Sequence, residues 1–150
     1  RLTNTYGPRM RIKDARQTFL GIWIRNLLEG KTLQVFGDGK QRRDYNYVED
    51  VIDALIIAAS NEDAVGKIYN LGTSTPLSLE ETARILCGMI EGSCYELTPF
   101  PENRKAIDIG DFICDYQNFS NASGWAPKVK FEDGIQQTIE YFKSELQYYL

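Results

Sequence analysis

The sequence predicts an α/β fold. Segments with apolar residues at helical spacing recur along its 150 residues. Short runs of strand composition separate them. Glycine, proline and capping residues mark the joints. Helices alternating with strands in one chain define the α/β class. The length is enough for one domain with its own core. A content of 43% hydrophobic and 25% charged residues is ordinary for a globular protein.

In chain order, residues 1–5 read as the end of a strand, which Tyr6-Gly7-Pro8 stops. A start on a strand with no lead-in implies a chain cut from something longer. Residues 9–17 are polar and basic. From 18 to 29, Leu20, Trp23, Ile24, Leu27 and Leu28 keep helical spacing, and Gly30 is placed to end the helix. Leu33–Phe36 reads as a strand. A helix follows over about 47–60, with Val48, Val51, Ile52, Leu55, Ile56 and Ala59 assigned to its inward face. Residues 61–66 are a polar loop, and 68–71 a short strand closed by Gly72. Residues 73–77 form a turn holding Pro76. Ser78 and Glu81 make a capping box that opens a helix with Leu79, Ala83, Leu86 and Ile90 inward, ending by Gly92. Residues 95–100 have strand composition and 101–115 are irregular. Asp115 caps a short helix to 122, which Gly124-Trp125-Ala126-Pro127 breaks. A last helix starts near Phe131, with Ile135, Ile139, Phe142, Leu146 and Tyr149 on its stripe.

Composition excludes several functions. No apolar run approaches a membrane span, and no signal peptide opens the chain. Cys87, Cys94 and Cys114 are an odd set without metal-ligand spacing, so no metal is expected. They read as reduced thiols of a cytoplasmic protein, two of them in the core. Histidine is absent, and with it the commonest general base. Residues 1–50 hold ten Lys/Arg against six Asp/Glu, and residues 51–150 hold seven against fifteen. The acidic whole argues against nucleic acid. The basic first third suits a small anionic ligand.

The residues from Gly37 to Asp50 concentrate that chemistry. Gly37-Asp38-Gly39 reads as a tight turn. Lys40, Arg42 and Arg43 stand beside it. Asn46 and Glu49 have capping-box spacing, with Asn46 as cap of the following helix. A strand thus brings guanidinium groups to a helix start, which suits a phosphate or diphosphate that arginine grips with a bidentate fork. The same residues also fit a solvated basic turn.

Four segments resemble the C-terminal half of the extended short-chain dehydrogenase/reductases, the NAD-dependent nucleotide-sugar epimerases, dehydratases and decarboxylases. R-x-x-N-x-Y-G-P matches Arg1 to Pro8. G-x-x-L-x-V-x-G-D-G-x-Q-x-R-D-[FY]-x-Y-V-x-D matches Gly30 to Asp50. Y-N-[IL]-G matches Tyr69 to Gly72, and G-W-x-P matches Gly124 to Pro127. The sequence departs from the family at Asn118, where a lysine is usual, and at Ser123, where a leucine is. Two family motifs are not found in these residues: the dinucleotide fingerprint G-x-x-G-x-x-G and the catalytic Tyr-x-x-x-Lys.

The resemblance implies a substrate-binding domain over residues 1–150, with 1–8 the last strand and loop of a missing Rossmann domain. It implies that Asn4 contacts the sugar-nucleotide diphosphate and, with Thr5, the NAD cofactor. It implies that Arg43 clamps the diphosphate and that Val35 and Phe36 pass the base. Arg104, or its neighbour Lys105, is the expected second phosphate cation before Asp108. For Arg43 a salt bridge to Asp44 or Asp50 remains the alternative, and for Val35 and Phe36 a core strand. The expected function is the nucleotide-sugar half of a UDP-glucose 4-epimerase-like enzyme. The alternatives are a UDP-glucuronate decarboxylase, a dTDP-glucose 4,6-dehydratase, or a binding module without turnover. The expected ligand is a UDP- or dTDP-sugar, with a homodimer at full length. The fragment alone, with no catalytic residue of its own, is expected to be inactive.

Overall fold

The computed structural model describes residues 1–13, 18–101 and 109–150. Arg104, Lys105 and Asp108 lie outside the described residues. In chain order the strands are β1 (Thr5–Tyr6), β2 (Leu33–Phe36), β3 (Arg42–Arg43), β4 (Asn46–Tyr47), β5 (Leu77–Ser78) and β6 (Tyr95–Thr98). The helices are α1 (Phe19–Leu28), α2 (Val48–Ser60), α3 (Leu79–Met89), α4 (Gln117–Ser123) and α5 (Phe131–Glu145). Short 3-10 turns occupy Glu62–Ala64 and Leu146–Tyr148.

The strands pair two by two. β1 runs parallel to β4, with Thr5 opposite Asn46. β2 runs parallel to β6 over four residues, with Leu33 opposite Tyr95 and Phe36 opposite Thr98. β3 is antiparallel to β5, with Arg43 opposite Leu77. Alternation along β2 sends Leu33 and Val35 into the core and Gln34 and Phe36 away from it.

Two apolar clusters hold the layers. The larger gathers Leu20, Ile24 and Leu27 of α1, Leu86 of α3, and Ile135 and Phe142 of α5 around β2. Tyr6, Tyr45 and Phe131 add an aromatic stack, with Tyr45 and Phe131 centroids 4.7 Å apart. The smaller cluster joins Val51 and Ala54 of α2 to Leu71, Phe119 and Trp125. The Trp125 indole N–H donates to the Asp50 carbonyl at 3.1 Å. The buried Asp50 carboxylate accepts the backbone N–H groups of Lys128 and Val129. This is why Gly-Trp-x-Pro ends where it does.

Local signals behave as expected, with one exception. After α1, the Lys31 N–H bonds the Asn26 carbonyl and the Gly30 N–H bonds Leu27, with Gly30 at φ +73. That is the paired arrangement a left-handed glycine permits. Ser78 and Glu81 close a reciprocal capping box on α3. At α4 the cap position falls to Tyr116 rather than to Asp115, although the Asp115 carboxylate still accepts the Gln117 N–H at 2.8 Å. Ser123, in place of the usual leucine, bonds the Phe119 carbonyl and accepts the Trp125 N–H.

Four further expectations fail. Asn46 does not cap α2: it lies in β4, 2% exposed, and its amide donates to the Thr3 carbonyl at 2.9 Å and the Thr3 hydroxyl at 3.1 Å. Tyr47 precedes the helix without a side-chain cap. The assigned inward face of α2 is mostly outward, because the helix is apolar on both sides: Ile52, Leu55 and Ile56 are exposed while Val51 and Ala54 are buried. Residues 68–71 form no strand. Two bonds tie this segment to the start of the chain, from the Leu71 N–H to the Arg1 carbonyl and from the Arg1 amino group to the Tyr69 carbonyl, too few for a ladder. No cysteine is fully buried: Cys87 and Cys114 are half-buried and Cys94 is exposed.

Candidate functional site

A cavity of about 720 Å³ opens between α1, the outward face of β2 and residues 41–43. Phe19, Trp23 and Asn26 of α1 form one wall, Gln34 and Phe36 another, and Phe100 and Ile109 a third. Phe36 and Phe100 stand with centroids 5.7 Å apart. Such a pair offers π faces that a planar base stacks on. Arg43 reaches into the same cavity.

The turn explains this placement. Gly37 and Gly39 both take left-handed backbone, at φ +75 and +69. The Asp38 carboxylate accepts the Lys40 N–H at 3.0 Å. The chain reverses within these residues and returns Arg43 beside the outward face of β2. Any side chain at Gly39 meets Glu80, Leu97 and Val35, so the turn also packs closely on α3.

The three cations of the turn do not act together. Lys40 points to solvent near Asp38. The Arg42 guanidinium donates to the Pro76 carbonyl at 3.3 Å. Arg43 donates to the Gly110 and Arg42 carbonyls and, at 3.2 Å, to the Gln41 side chain. Neither Asp44 nor Asp50 is its salt-bridge partner. The cavity lies beside β2 and α1 rather than at the start of α2, which corrects the placement read from the sequence.

Of the sequence-predicted residues, Phe36 and Arg43 share the cavity. Val35 does not reach it: it is fully buried and belongs to the core, as alternation along β2 requires. Asn4 lines neither this cavity nor a second one, but donates to the Asp44 carboxylate at 3.3 Å. Thr5 faces the second cavity, of about 730 Å³, with Tyr6, Pro8, Tyr47 and Val48 around the C-terminal ends of β1 and β4. The Thr5 hydroxyl oxygen is buried with no hydrogen-bond partner among the described residues. Sequence reasoning missed Trp23, Gln34 and Phe100 as cavity residues. An outward position beside Val35 was a signal for Gln34; Trp23 and Phe100 carried none. Among the described residues no cluster of His, Cys, Asp and Glu is built to hold a metal ion.

Comparison with known proteins bears on the family and the fold. The model of the NAD dependent epimerase/dehydratase family matches residues 1–72. The chain is 31% identical to UDP-glucuronic acid decarboxylase 1 of Xenopus tropicalis, over 99% of this chain and 34% of that protein. It is 31% identical to UDP-glucose 4-epimerase of Mycolicibacterium smegmatis, over 96% and 44%. The structure of UDP-glucose 4-epimerase with UDP-glucose from Thermotoga maritima superposes with a TM-score of 0.82 at 30% identity, over 97% of this chain and 45% of that one. The protein is therefore a partial α/β unit of the extended short-chain dehydrogenase/reductase type. Its residues 1–72 match the NAD dependent epimerase/dehydratase family, a family of enzymes, and the chain spans less than half the length of these relatives. Among the described residues no helix is long and apolar enough to cross a membrane.

Proposed function

We propose that this chain is the nucleotide-sugar-binding half of an NAD-dependent sugar-nucleotide epimerase, with a UDP-sugar as ligand. In this reading residues 1–8 are the last strand and loop of the cofactor-binding half. One observation carries the proposal: an arginine, held by carbonyls at the edge of a cavity, faces a pair of aromatic rings 5.7 Å apart. A diphosphate meets the guanidinium while a base reaches the rings. Arg104 is assigned as the second phosphate cation, on family resemblance alone.

NAD supplies reversible hydride acceptance. Asn4 and Thr5 are the residues of this chain assigned to it, Asn4 being assigned to the sugar-nucleotide diphosphate as well, and the buried hydroxyl of Thr5, with no partner among the described residues, fits a role that a bound group completes. The enzyme is assigned to the cytoplasm, in keeping with three unpaired thiols, and to a homodimer at full length. A decarboxylase or dehydratase of the same class uses the same cavity, and the 31% identity to UDP-glucuronic acid decarboxylase 1 keeps the first of these as the second reading.

Calorimetric titration of UDP into the chain tests the ligand. A charge-assisted hydrogen bond contributes roughly 1.5–3 kcal/mol. Arg43→Ala is expected to weaken UDP binding about 10- to 150-fold. Arg43→Lys recovers part of this, since it keeps the charge and loses the fork. Unchanged affinity in a folded Arg43→Ala protein refutes the assignment. With NAD added, the chain alone is expected to turn over no UDP-sugar, because none of its tyrosines has a lysine four residues on. Turnover by a purified sample overturns that expectation.

A further inference from the structure

We propose that Asp44 is the positioning residue that fixes the side-chain amide of Asn4 for ligand. The inference rests on the nucleotide-sugar reading above and gives a role to a carboxylate which that reading leaves unused.

Asp44 is fully buried. Its partners among the described residues are all donors. Oδ2 accepts the Thr3 hydroxyl at 2.9 Å and the Cys114 backbone N–H at 3.3 Å, and Oδ1 accepts Nδ2 of Asn4 at 3.3 Å. An ionised carboxylate only accepts, so the amide group turned toward Oδ1 is the NH₂ and not the carbonyl. The carboxylate thereby selects one of the two amide orientations of Asn4. One N–H of Nδ2 is engaged by Oδ1, and we assign the other to a phosphate oxygen.

The backbone of Asn4 supports the same conclusion. It stands at φ +37, in a left-handed region that asparagine tolerates better than most residues. Strain of this kind persists only where the surroundings over-determine it, and it collects at functional sites. Here the surroundings do so. The Asn46 backbone N–H donates to the Asn4 carbonyl at 3.3 Å, and the Asn46 side chain donates to the Thr3 carbonyl and hydroxyl. The Thr3 hydroxyl accepts from Asn46 and passes its own proton toward Asp44. Gly72 completes the enclosure, since a Cβ there falls 3.2 Å from Oδ2 of Asp44 and 2.1 Å from the Cys114 carbonyl. Arg43 and Asp44 are thus sequence neighbours with divided tasks: one side chain enters the cavity and the other orders the amide.

The test combines an amide signal with a double-mutant cycle on the 150-residue chain. Without ligand, the Nδ2 protons of Asn4 in the wild type should be protected from exchange with solvent by NMR, and Asp44→Asn should remove that protection. With UDP as the probe, Asp44→Asn should weaken binding about 5- to 30-fold. In an Asn4→Ala background the same change should do nothing further. Equal losses in both backgrounds mean a merely structural carboxylate and overturn the proposal, as does an Asn4 side-chain amide that shows no protection from exchange in the wild type. The wild-type measurement stands even where Asp44→Asn fails to fold. No UDP binding by the wild type overturns the functional reading and with it the ligand half of this inference. That failure is distinguishable, because the amide signal is read without ligand.

Discussion

Gly39 and Gly92 separate two costs that a glycine substitution carries. Both sit in left-handed backbone, at φ +69 and +75. A Cβ at Gly92 meets nothing within 4 Å, whereas one at Gly39 lies 2.9 Å from the Glu80 Cβ and 3.3 Å from Val35. Gly92→Ala is expected to cost about 1–2 kcal/mol from backbone strain alone. Gly39→Ala adds displacement of α3 and should cost more. Urea unfolding of both variants checks the order, and equal losses would mean that α3 yields freely. Residue-scale signals of this kind were legible where both partners lie within a few positions, as at Gly30 and Ser78. Asn46 was misread because its partner, Thr3, lies 43 residues away. Capping spacing cannot distinguish an asparagine that starts a helix from one that ties two parallel strands.

At the scale of the element, α2 has two apolar faces and a partner for one. Trp125 and Phe119 cover Val51 and Ala54, while Ile52, Leu55 and Ile56 stay in solvent, with Ile56 62% exposed. Trp125→Ala is therefore expected to cost about 3–5 kcal/mol, measured by denaturant titration. Ile56→Lys is expected to change stability by less than about 0.5 kcal/mol. An exposed apolar face also favours association. Sedimentation at rising concentration should show self-association that Ile52→Lys and Ile56→Lys together reduce. An unchanged profile in the double variant would assign the association elsewhere. Helical periodicity found this helix to within a residue at each end. It could not say which face was inward, because both faces satisfy the same spacing.

For the whole molecule, the aromatic stack between β1, β4 and α5 sets the response to alkali. Burial pushes the Tyr6 hydroxyl well above the usual tyrosine range, and the negative charges nearby add to it. Burial does the same to Tyr45, partly offset by its hydrogen bond to Thr82. In the unfolded chain tyrosines lose their protons near pH ~10. Above that pH the folded state binds more protons than the unfolded one, so stability is full below about pH 10 and falls as the pH rises. Melting temperature between neutral and strongly alkaline pH should show this fall. Tyr45→Phe should be less stable at neutral pH, by about 1 kcal/mol for the lost bond, and flatter in alkali.

The sequence by itself determined the α/β class, the helix limits, β2 and the turn that follows it. Each depends on periodicity or on backbone bonds spanning a few residues. It also carried the resemblance to a family, through motifs that survive as strings. Only the tertiary structure decided that Val35 belongs to the core while Phe36 meets Phe100, because strand alternation has no sign until a second layer supplies an inside. It alone decided that Arg43 and Asp44 take different tasks and that residues 3, 4, 44 and 114 meet at one carboxylate. Those contacts join positions up to 70 apart in the chain. Local propensity has no means of encoding such pairs. They form because burying an aspartate requires donors, and the folded chain brings donors there from two separate segments.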